Sequence, residues 1–318
     1  MTEIFLDQNW QQITPQRSVN ETNFTSGSIL FNFNVSGLNS VSMKDSYFIV
    51  KSSLLRGDGK TAHVLSDKVT HAHNWTSALF TNVSVRVSGQ EVSVCNQYNH
   101  LAHTLKMRQL IDEPLLGNNY RDLIDYDPDF TRRLNKHCYD IGTPLINIAS
   151  GGPGESQRED SMWEQSNHDG KHIRGGDTTR YTIYQPVNLG VFDLGHGSLC
   201  GDISIMLNPN PQYLTACVES AYFAAATAND FTAAVPGANN AAGQYRFQVN
   251  SIVFMACYAK ATKPLDNVKT FTIHEYSVMN KQYAPQLEFQ VLPSTEQITV
   301  FVQDQAAGTS TLIPSTCF

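Results

Sequence analysis

Charged residues are scarce in this chain. Of its 318 residues only 16% are Asp, Glu, Lys or Arg, against about a quarter in an average soluble protein, and the formal net charge is −7. A nucleic-acid-binding face needs clustered basic residues. The one mildly basic cluster, Arg132-Arg133 with Lys136 and His137, adjoins the acidic segment 122–129. We therefore predict no direct contact with nucleic acid. A charge-poor surface also suits a subunit that neighbouring subunits cover.

Long apolar runs and paired-cysteine motifs are absent too. No apolar run approaches the ~18 residues that span a bilayer, and the polar residues 1–16 contain no apolar signal core. We therefore expect no transmembrane segment, reduced thiols and synthesis inside a cell. The asparagines of five sequons are interpreted as chance products of an Asn/Ser/Thr-rich sequence: Asn20, Asn23, Asn34, Asn74 and Asn82. The six cysteines lack CxxC spacing: Cys95, Cys138, Cys200, Cys217, Cys257 and Cys317.

Catalytic and nucleotide-binding signatures are missing as well. The segment Gly151–Gly154 is not followed by Gly-Lys-Ser/Thr, which excludes a P-loop, and no Gly-x-Ser-x-Gly elbow occurs. Alternating aspartates at 125–129 imitate an EF-hand, but Phe130 replaces its glycine and Lys136 its glutamate. A simpler surface calcium site and a non-local Cys–His dyad stay open. We predict no catalytic residue, no cofactor and no metal site.

Two histidine pairs have the spacing of metal ligands. His71 and His73 would share one face of a strand, but the cupin pattern needs a carboxylate shortly afterwards, where residues 74–77 read Asn-Trp-Thr-Ser. His100 and His103 share one face of a predicted helix without the glutamate of a zinc-protease motif. We interpret both pairs as structural histidines, the first pair on a wet strand face or loop.

Alternating apolar residues dominate the first third of the sequence. The segment Ile29–Val35 alternates apolar residues with asparagines, which predicts a half-buried strand, and Tyr47–Ser52 predicts the next strand. Val83–Val87 and Val92–Val94 flank the turn Ser88-Gly89-Gln90, which predicts a hairpin.

A helix and further strands follow. Apolar residues fall at helical spacing in Tyr98–Leu105, and Asp-Glu-Pro at 112–114 ends that helix. Strand patterns resume at Tyr181–Tyr184, Gly201–Leu207 and Tyr245–Lys260. Abundant Val, Ile, Phe and Tyr with many small polar residues predict an all-β protein with long polar loops.

Two long polar segments, 150–180 and 224–244, interrupt the strands. Loops of this length without secondary structure of their own are usually functional or disordered. Residues 1–26 precede the first strand pattern, and we interpret them as an extended N-terminal arm, with a frayed terminus as the alternative.

The order of these elements resembles the first jelly roll of double jelly-roll major capsid proteins of DNA viruses, of the type found in Polinton-like viruses, adintoviruses and virophages. The resemblance implies a β-sandwich with two jelly rolls side by side in each chain, and outward-facing towers built by insertions such as 150–180 and 224–244. The residues that carry it are an Asn, a Leu-Phe pair, a Val-x-Val strand, a Ser-Gly turn and a Tyr-containing helix, here Asn74, Leu79-Phe80, Val83-Ser84-Val85, Ser88-Gly89 and Tyr98.

This interpretation divides the chain into an arm at 1–26, a first jelly roll at 27–262 and the start of a second at 263–318. The strand patterns after residue 263 are fewer than the eight that a jelly roll needs. We expect a truncated or processed second roll, with a more compact second barrel as the alternative. The patterns lie at Thr270–His274, Leu287–Leu292 and Gln297–Gln303.

The resemblance implies a non-enzymatic major capsid protein that is made inside the host cell and located in the virion. Three copies would form a pseudo-hexagonal capsomer that contacts neighbouring capsomers and penton or minor capsid proteins in an icosahedral shell. One alternative is a scaffold or minor capsid protein of the same fold. Another is a jelly-roll carbohydrate-binding or cupin-like protein, which needs clustered aromatic residues or metal ligands.

Overall fold

A computed structural model describes residues 5–56, 59–60, 69–71, 74–96, 99–110, 179–220, 245–262 and isolated positions between 272 and 298. The helices in these ranges are α1 (Trp75–Ala78), α2 (Asn99–Leu110), a 3₁₀ turn (Gly190–Asp193) and a short helical turn (Tyr213–Ala216). The strands are β1 (Phe5–Ile13), β2 (Ile29–Val35), β3 (Asn39–Arg56), β4 (Val69–His71), β5 (Phe80–Val87), β6 (Gln90–Cys95), β7 (Arg180–Tyr184), β8 (Gly201–Pro209), β9 (Val218–Ser220) and β10 (Tyr245–Ala261).

Eight of these strands form two four-stranded antiparallel sheets, with the orders β1-β10-β3-β7 and β2-β8-β5-β6. Strand β1 pairs with β10, β2 with β8, β3 with β7 and β5 with β6. In sequence order, the first of these eight strands therefore pairs with the last, the second with the second-last, and so on to the central hairpin. Eight strands wound in this way across two sheets form a jelly roll. The predicted all-β jelly-roll class is confirmed for the described residues.

The core lies between the two sheets. Phe31 of β2 meets Phe48 of β3 edge-on, with ring centroids 5.3 Å apart, and Phe48 lies 4.7 Å from Phe254 of β10. On β8, every second residue from Ile203 to Leu207 is buried. Burial of aromatic rings of this size is the main stabilising contribution to such a core.

The N-terminal segment 1–26 is not an arm throughout. Residues Phe5–Ile13 form β1, which adds to the edge of β10 with Trp10 opposite Cys257 and Ile13 opposite Phe254. The sequence of β1 lacks apolar alternation because residues 8–12 are exposed, so its pairing depends on the backbone of β10. The prediction was wrong here, since β1 completes the first four-stranded sheet.

Strand β3 is much longer than the predicted Tyr47–Ser52. Its pairing with β10 breaks between Ser42, opposite Cys257, and Tyr47, opposite Met255, so residues 43–46 form a wide bulge. The first part of β3 buries four successive residues, Ser40, Val41, Ser42 and Met43, and the next two residues, 44 and 45, are exposed. The bulge therefore separates the short alternation of Val41 and Met43 from Tyr47–Ser52, which explains why this half of the strand was not predicted.

The predicted hairpin is confirmed. Val87 of β5 lies opposite Gln90 of β6, which leaves Ser88 and Gly89 as a two-residue turn. Both have positive φ, 49° and 82° respectively. Two successive positive φ angles are those of a type I′ turn, whose twist matches that of the flanking strands.

The register also places the ends of the predicted insertions. Arg56, the last residue of β3, lies opposite Tyr245, the first of β10. Arg180, the first residue of β7, lies opposite Ser52 of the same β3. The chain segments that precede β7 and β10 and follow β3 therefore meet the sheet at one end of the roll, whereas Ala261 lies at the other end, opposite Phe5.

Several predictions fall outside the described residues. These are almost all of the insertions 150–180 and 224–244, the aspartates at 125–129, the basic cluster 132–137, His73, Tyr98, Cys138, Cys317 and nearly all of 263–318. Among the helices that the structure describes, none combines the length and the apolar character needed to cross a membrane.

Candidate functional site

Helix α2 is held against α1 by a buried polar cluster that starts at Asn74. This residue adopts a left-handed conformation with φ 55° immediately before α1, a conformation that asparagine tolerates better than most residues. Its side-chain amide donates to Nδ1 of His103 and to Oγ1 of Thr104, both at 3.0 Å. Asn74 thus forms a buried link between the two helices, and at 1% exposure its side chain is inaccessible to glycosylation enzymes.

The hydrogen bonds of His103 determine its protonation. Nδ1 accepts from the amide of Asn74, and Nε2 lies 2.8 Å from the carbonyl of Gln185, to which only an N–H can donate. The ring is therefore the neutral Nε2–H tautomer. Burial lowers the pKa of His103 to about 4, although the Gln185 carbonyl opposes this change. A second proton on Nδ1 would face the amide N–H of Asn74.

The neighbouring His100 is also neutral. Its Nδ1 lies 2.6 Å from Oγ of Ser77, which anchors α2 to the last turn of α1. Burial lowers the pKa of His100 to about 3, with a further contribution from nearby His103. His103 is 4% exposed, and His100 is half-buried with its Nε2 enclosed, so neither ring is positioned to exchange protons with a substrate.

The cluster extends to strand β7 through Asn99. Its amide donates to the Ser77 carbonyl at 3.0 Å and to the Tyr184 hydroxyl at 3.1 Å, and its side-chain carbonyl accepts from the Asn188 amide at 3.0 Å. Burial raises the pKa of Tyr184. These bonds connect α1, α2 and β7, and we assign the cluster to positioning α2 against the sheets.

Of the predicted pair His71 and His73, the structure describes only His71. Its side chain does not lie on a solvent-exposed face. It is 1% exposed. Its ring lies 4.9 Å from Trp75 and 5.5 Å from Phe247, measured between centroids. The expected solvent-facing position is wrong because β4 packs beneath α1 and β10, and these aromatic neighbours are not the open ligand face that a cupin-like site requires.

A cluster that sequence patterns did not reveal lies beside the β3 bulge. Donor atoms of Asp45, His196 and Cys257 all lie within 4.8 Å of one another, and Sγ of Cys257 is 3.8 Å from Nε2 of His196. Asp45 is exposed, His196 half-buried and Cys257 buried. Because the three residues are far apart in sequence, local spacing gives no signal for this cluster.

The protonation of this cluster argues against a cysteine nucleophile. Burial, and secondarily the Asp45 carboxylate, raises the pKa of Cys257 to about 11. Burial also lowers the pKa of His196, with Asp45 acting in the opposite direction. A reactive cysteine needs a depressed pKa, so Cys257 is a protonated thiol at neutral pH in the absence of another ligand.

The outer edges of the first sheet expose two aromatic residues. Trp10 on β1 is 44% exposed and Tyr181 on β7 is 64% exposed. The indole N–H of Trp10 donates to the Asp45 carbonyl at 3.1 Å, and the ammonium of Lys51 lies 5.5 Å from the Tyr181 ring centroid. Exposed aromatic residues on an otherwise polar surface are typical of contact sites between proteins.

Comparison with known proteins found similarity at the level of structure. No family model and no curated protein matches the sequence. Among solved structures, the chain is similar to the major capsid protein of mavirus, with 12% identity, a TM-score of 0.37 and coverage of 80% of this chain and 47% of that one. It is also similar to a chain of the Sputnik virophage cryo-EM structure, with 10% identity, a TM-score of 0.44 and coverage of 85% and 50%.

The chain thus spans about half the length of either virophage chain. The resemblance to virophage-type proteins that the sequence predicted is also found among solved structures.

Proposed function

We propose that this chain is a capsid protein of a DNA virus or virus-like element, and that three copies form the pseudo-hexagonal capsomers of an icosahedral shell. The observation that carries the proposal is the position of the long connections. The segments before β7 and β10 and after β3 meet at one end of a jelly roll, where Arg180 lies opposite Ser52 and Tyr245 opposite Arg56. Insertions that begin or end at this pole would leave the sides of the roll available for neighbours.

The region after residue 262 supports the idea of a second body beside the first. Glu275, from the predicted start of the second roll, accepts a short hydrogen bond from Ser93 of β6. Its carboxylate also accepts from the backbone N–H groups of Gly190 and Val94, while burial raises its pKa. Glu275 therefore contacts β6, at the edge of the second sheet. Two adjacent rolls per chain would give six similar wedges in a trimer.

Surface composition is compatible with extensive burial between subunits. The sequence has few charges, and large aromatic residues are exposed at both edges of one sheet, Trp10 on β1 and Tyr181 on β7. Interface cores are depleted in charge and enriched in aromatic residues. We assign these edges to contacts with other copies of the chain, with the fold acting as a structural component and not as an enzyme.

The experiment that tests this function is the native mass of the purified chain, followed by electron microscopy of concentrated samples. A species of three times the 35.3 kDa chain mass supports the capsomer, and closed particles support the shell role over a scaffold role. A monomer at all concentrations contradicts the proposal.

A matched pair of variants on β1 tests the assigned edge. Trp10→Ser should reduce the trimer fraction, whereas Gln8→Ser on the same exposed strand should leave it unchanged, because only Trp10 offers a large apolar contact. Equal trimer fractions in both variants would remove β1 from the interface.

A further inference from the structure

We propose that Asp45, His196 and Cys257 form a binding site for a zinc ion that connects strand β3, the loop between the 3₁₀ turn and β8, and strand β10. The three side chains offer a carboxylate, an imidazole and a thiol whose donor atoms lie within 4.8 Å of one another. The inference concerns the first jelly roll alone and does not depend on assembly into a capsid.

The donor set matches the chemistry of zinc. Zn²⁺ binds cysteine sulfur at about 2.3 Å and histidine nitrogen at about 2.0–2.1 Å, which places S and N donors of one tetrahedral ion about 3.6 Å apart. The Cys257 Sγ to His196 Nε2 separation is 3.8 Å, so these two ligands need to move very little. Hard cations such as Ca²⁺ and Mg²⁺ prefer all-oxygen ligands, and a thiol selects against them.

The backbone around Asp45 is fixed on both sides. The side chain of Gln185 donates to the carbonyls of Lys44 at 2.6 Å and Ser46 at 3.2 Å, and the Trp10 indole donates to the Asp45 carbonyl at 3.1 Å. Residues 44–46 lie in the bulge and do not pair with β10, so these bonds supply the hydrogen-bond donors that their backbone carbonyls lack in the sheet. The bulge is therefore a defined structure that presents the carboxylate toward β10.

The other two ligands are anchored to the same bulge. The N–H of Lys44 donates to the Leu194 carbonyl at 3.1 Å, which attaches the loop of His196 to β3. The N–H of Cys257 donates to Oγ of Ser46 at 2.9 Å. All three ligand-bearing segments thus have fixed backbone positions before any ion binds.

A second layer of hydrogen bonding orients the carboxylate. Oγ of Ser42 donates to Oδ2 of Asp45 at 2.6 Å, which leaves Oδ1 for an ion. Ligands of metal ions are commonly held by such outer partners, and their loss weakens binding about 10–100-fold. Because Asp45 is exposed, a fourth position is accessible to water.

Zinc would also convert the protonated thiol into a ligand. As the Zn–S bond forms, the S–H proton leaves to solvent, because a coordinating thiol is deprotonated by the metal charge. Binding should therefore release one proton from Cys257 and tie together three segments that are distant in sequence.

The test uses the full chain and Co²⁺, a spectroscopic substitute for zinc. The wild-type chain should bind Co²⁺ with a near-ultraviolet sulfur-to-cobalt charge-transfer band, and added Zn²⁺ should abolish that band by displacement. Cys257→Ser should lose the band. Cys200→Ser is the matched control, because Cys200 is an exposed thiol outside the cluster, and it should retain the band.

Asp45→Asn and His196→Gln extend the test to the other ligands. Asp45 is exposed, so its substitution leaves the fold intact, and each variant should weaken Co²⁺ binding at least about tenfold. Circular dichroism checks folding, and His196→Gln carries the test if Cys257→Ser does not fold. No charge-transfer band in the wild type, or a band that persists in a folded Cys257→Ser or is unaffected by His196→Gln, overturns the proposal.

Discussion

Asn74 donates a hydrogen bond from its side-chain amide to Oγ1 of Thr104 at 3.0 Å, although the two residues are 30 positions apart. The same amide group bonds His103, and Asn74 itself has a positive φ of 55°. Asn74 therefore combines an unusual backbone conformation with two side-chain hydrogen bonds. Among the described residues, these bonds alone join the start of α1 to the middle of α2. This explains why an asparagine, which tolerates a positive φ and carries a hydrogen-bonding amide, stands at this position.

Replacement of Asn74 by alanine should destabilise the fold strongly. The change leaves His103 and Thr104 without their donor, at about 1–3 kcal/mol for buried groups, and adds a left-handed alanine at about 1–2 kcal/mol. We expect the free energy of unfolding in urea to fall by roughly 2–5 kcal/mol. Asn32→Ala, at an exposed position of β2, is the control and should change it by less than about 0.5 kcal/mol. Similar effects of the two variants would contradict the assigned link.

The buried histidines should make the fold acid-sensitive. Unfolded histidines bind protons below about pH 6.5, whereas burial lowers the pKa of His100 to about 3 and that of His103 to about 4. Stability is therefore fully present above pH 6.5 and is lost as the pH falls, by about 2 kcal/mol per histidine at pH 5. Urea unfolding at pH 7.5 and pH 5 measures this loss.

His103→Gln separates this effect from other titrating groups. Glutamine cannot be protonated, so the variant should lose less stability than the wild type between pH 7.5 and pH 5, by about 2 kcal/mol. Carboxylates contribute little in this window, because their ordinary pKa values are about 4. An identical pH dependence in both proteins would show that His103 is not neutral and buried.

Gly89 in the β5–β6 turn and Gly195 in the loop before β8 form a matched pair of glycines. A Cβ at Gly89 or at Gly195 meets no atom within 4 Å, but only Gly89 has a positive φ, of 82°. Gly89→Ala should therefore lower the free energy of unfolding by about 1–2 kcal/mol, while Gly195→Ala should be neutral or slightly stabilising because it restricts the unfolded chain. Equal thermal midpoints for the two variants would contradict the type I′ turn.

Deletion of residues 1–14 tests the corrected role of the N-terminus. Because Phe5–Ile13 pairs with β10 along its length, the deletion should expose the backbone of β10 and cause aggregation or a lower thermal midpoint. Deletion of residues 1–4 leaves β1 in place and serves as the control. A chain lacking residues 1–14 that melts like the control would restore the arm interpretation.

The elements that could be predicted from the sequence are the strands in which apolar residues facing the core alternate with polar residues. Strand β2 has the predicted bounds Ile29–Val35, and β10 differs by one residue, ending at Ala261. Strand β1 was missed because its exposed residues 8–12 contain no apolar pattern. Half of β3 was missed because the bulge at 43–46 separates the alternating Val41 and Met43 from the predicted part of the strand. An exposed edge strand and a bulge both remove the long apolar alternation on which such predictions depend.

The candidate sites were less predictable than the strands. His100 and His103 were correctly placed on one helix, but their partners, Ser77 and Asn74, come from the preceding helix and its cap. The cluster that includes Cys257 is assembled by the β3 bulge and by strand pairing across the sheet. Neither event has a local sequence pattern, so only the three-dimensional structure brings these side chains together.

The register that sets Arg56 opposite Tyr245 and Arg180 opposite Ser52 has an evolutionary consequence. Strand pairing holds each of these residues in place, so lengthening a flexible loop that begins or ends at one of them changes its closure entropy by only about 0.6 kcal/mol for each doubling of the loop length. That end of the roll can therefore acquire, lose or exchange whole peptide segments. At the opposite end, the turn Ser88-Gly89 joins β5 and β6 with only two residues, so variation in length among related proteins should be greater at the first pole of the roll.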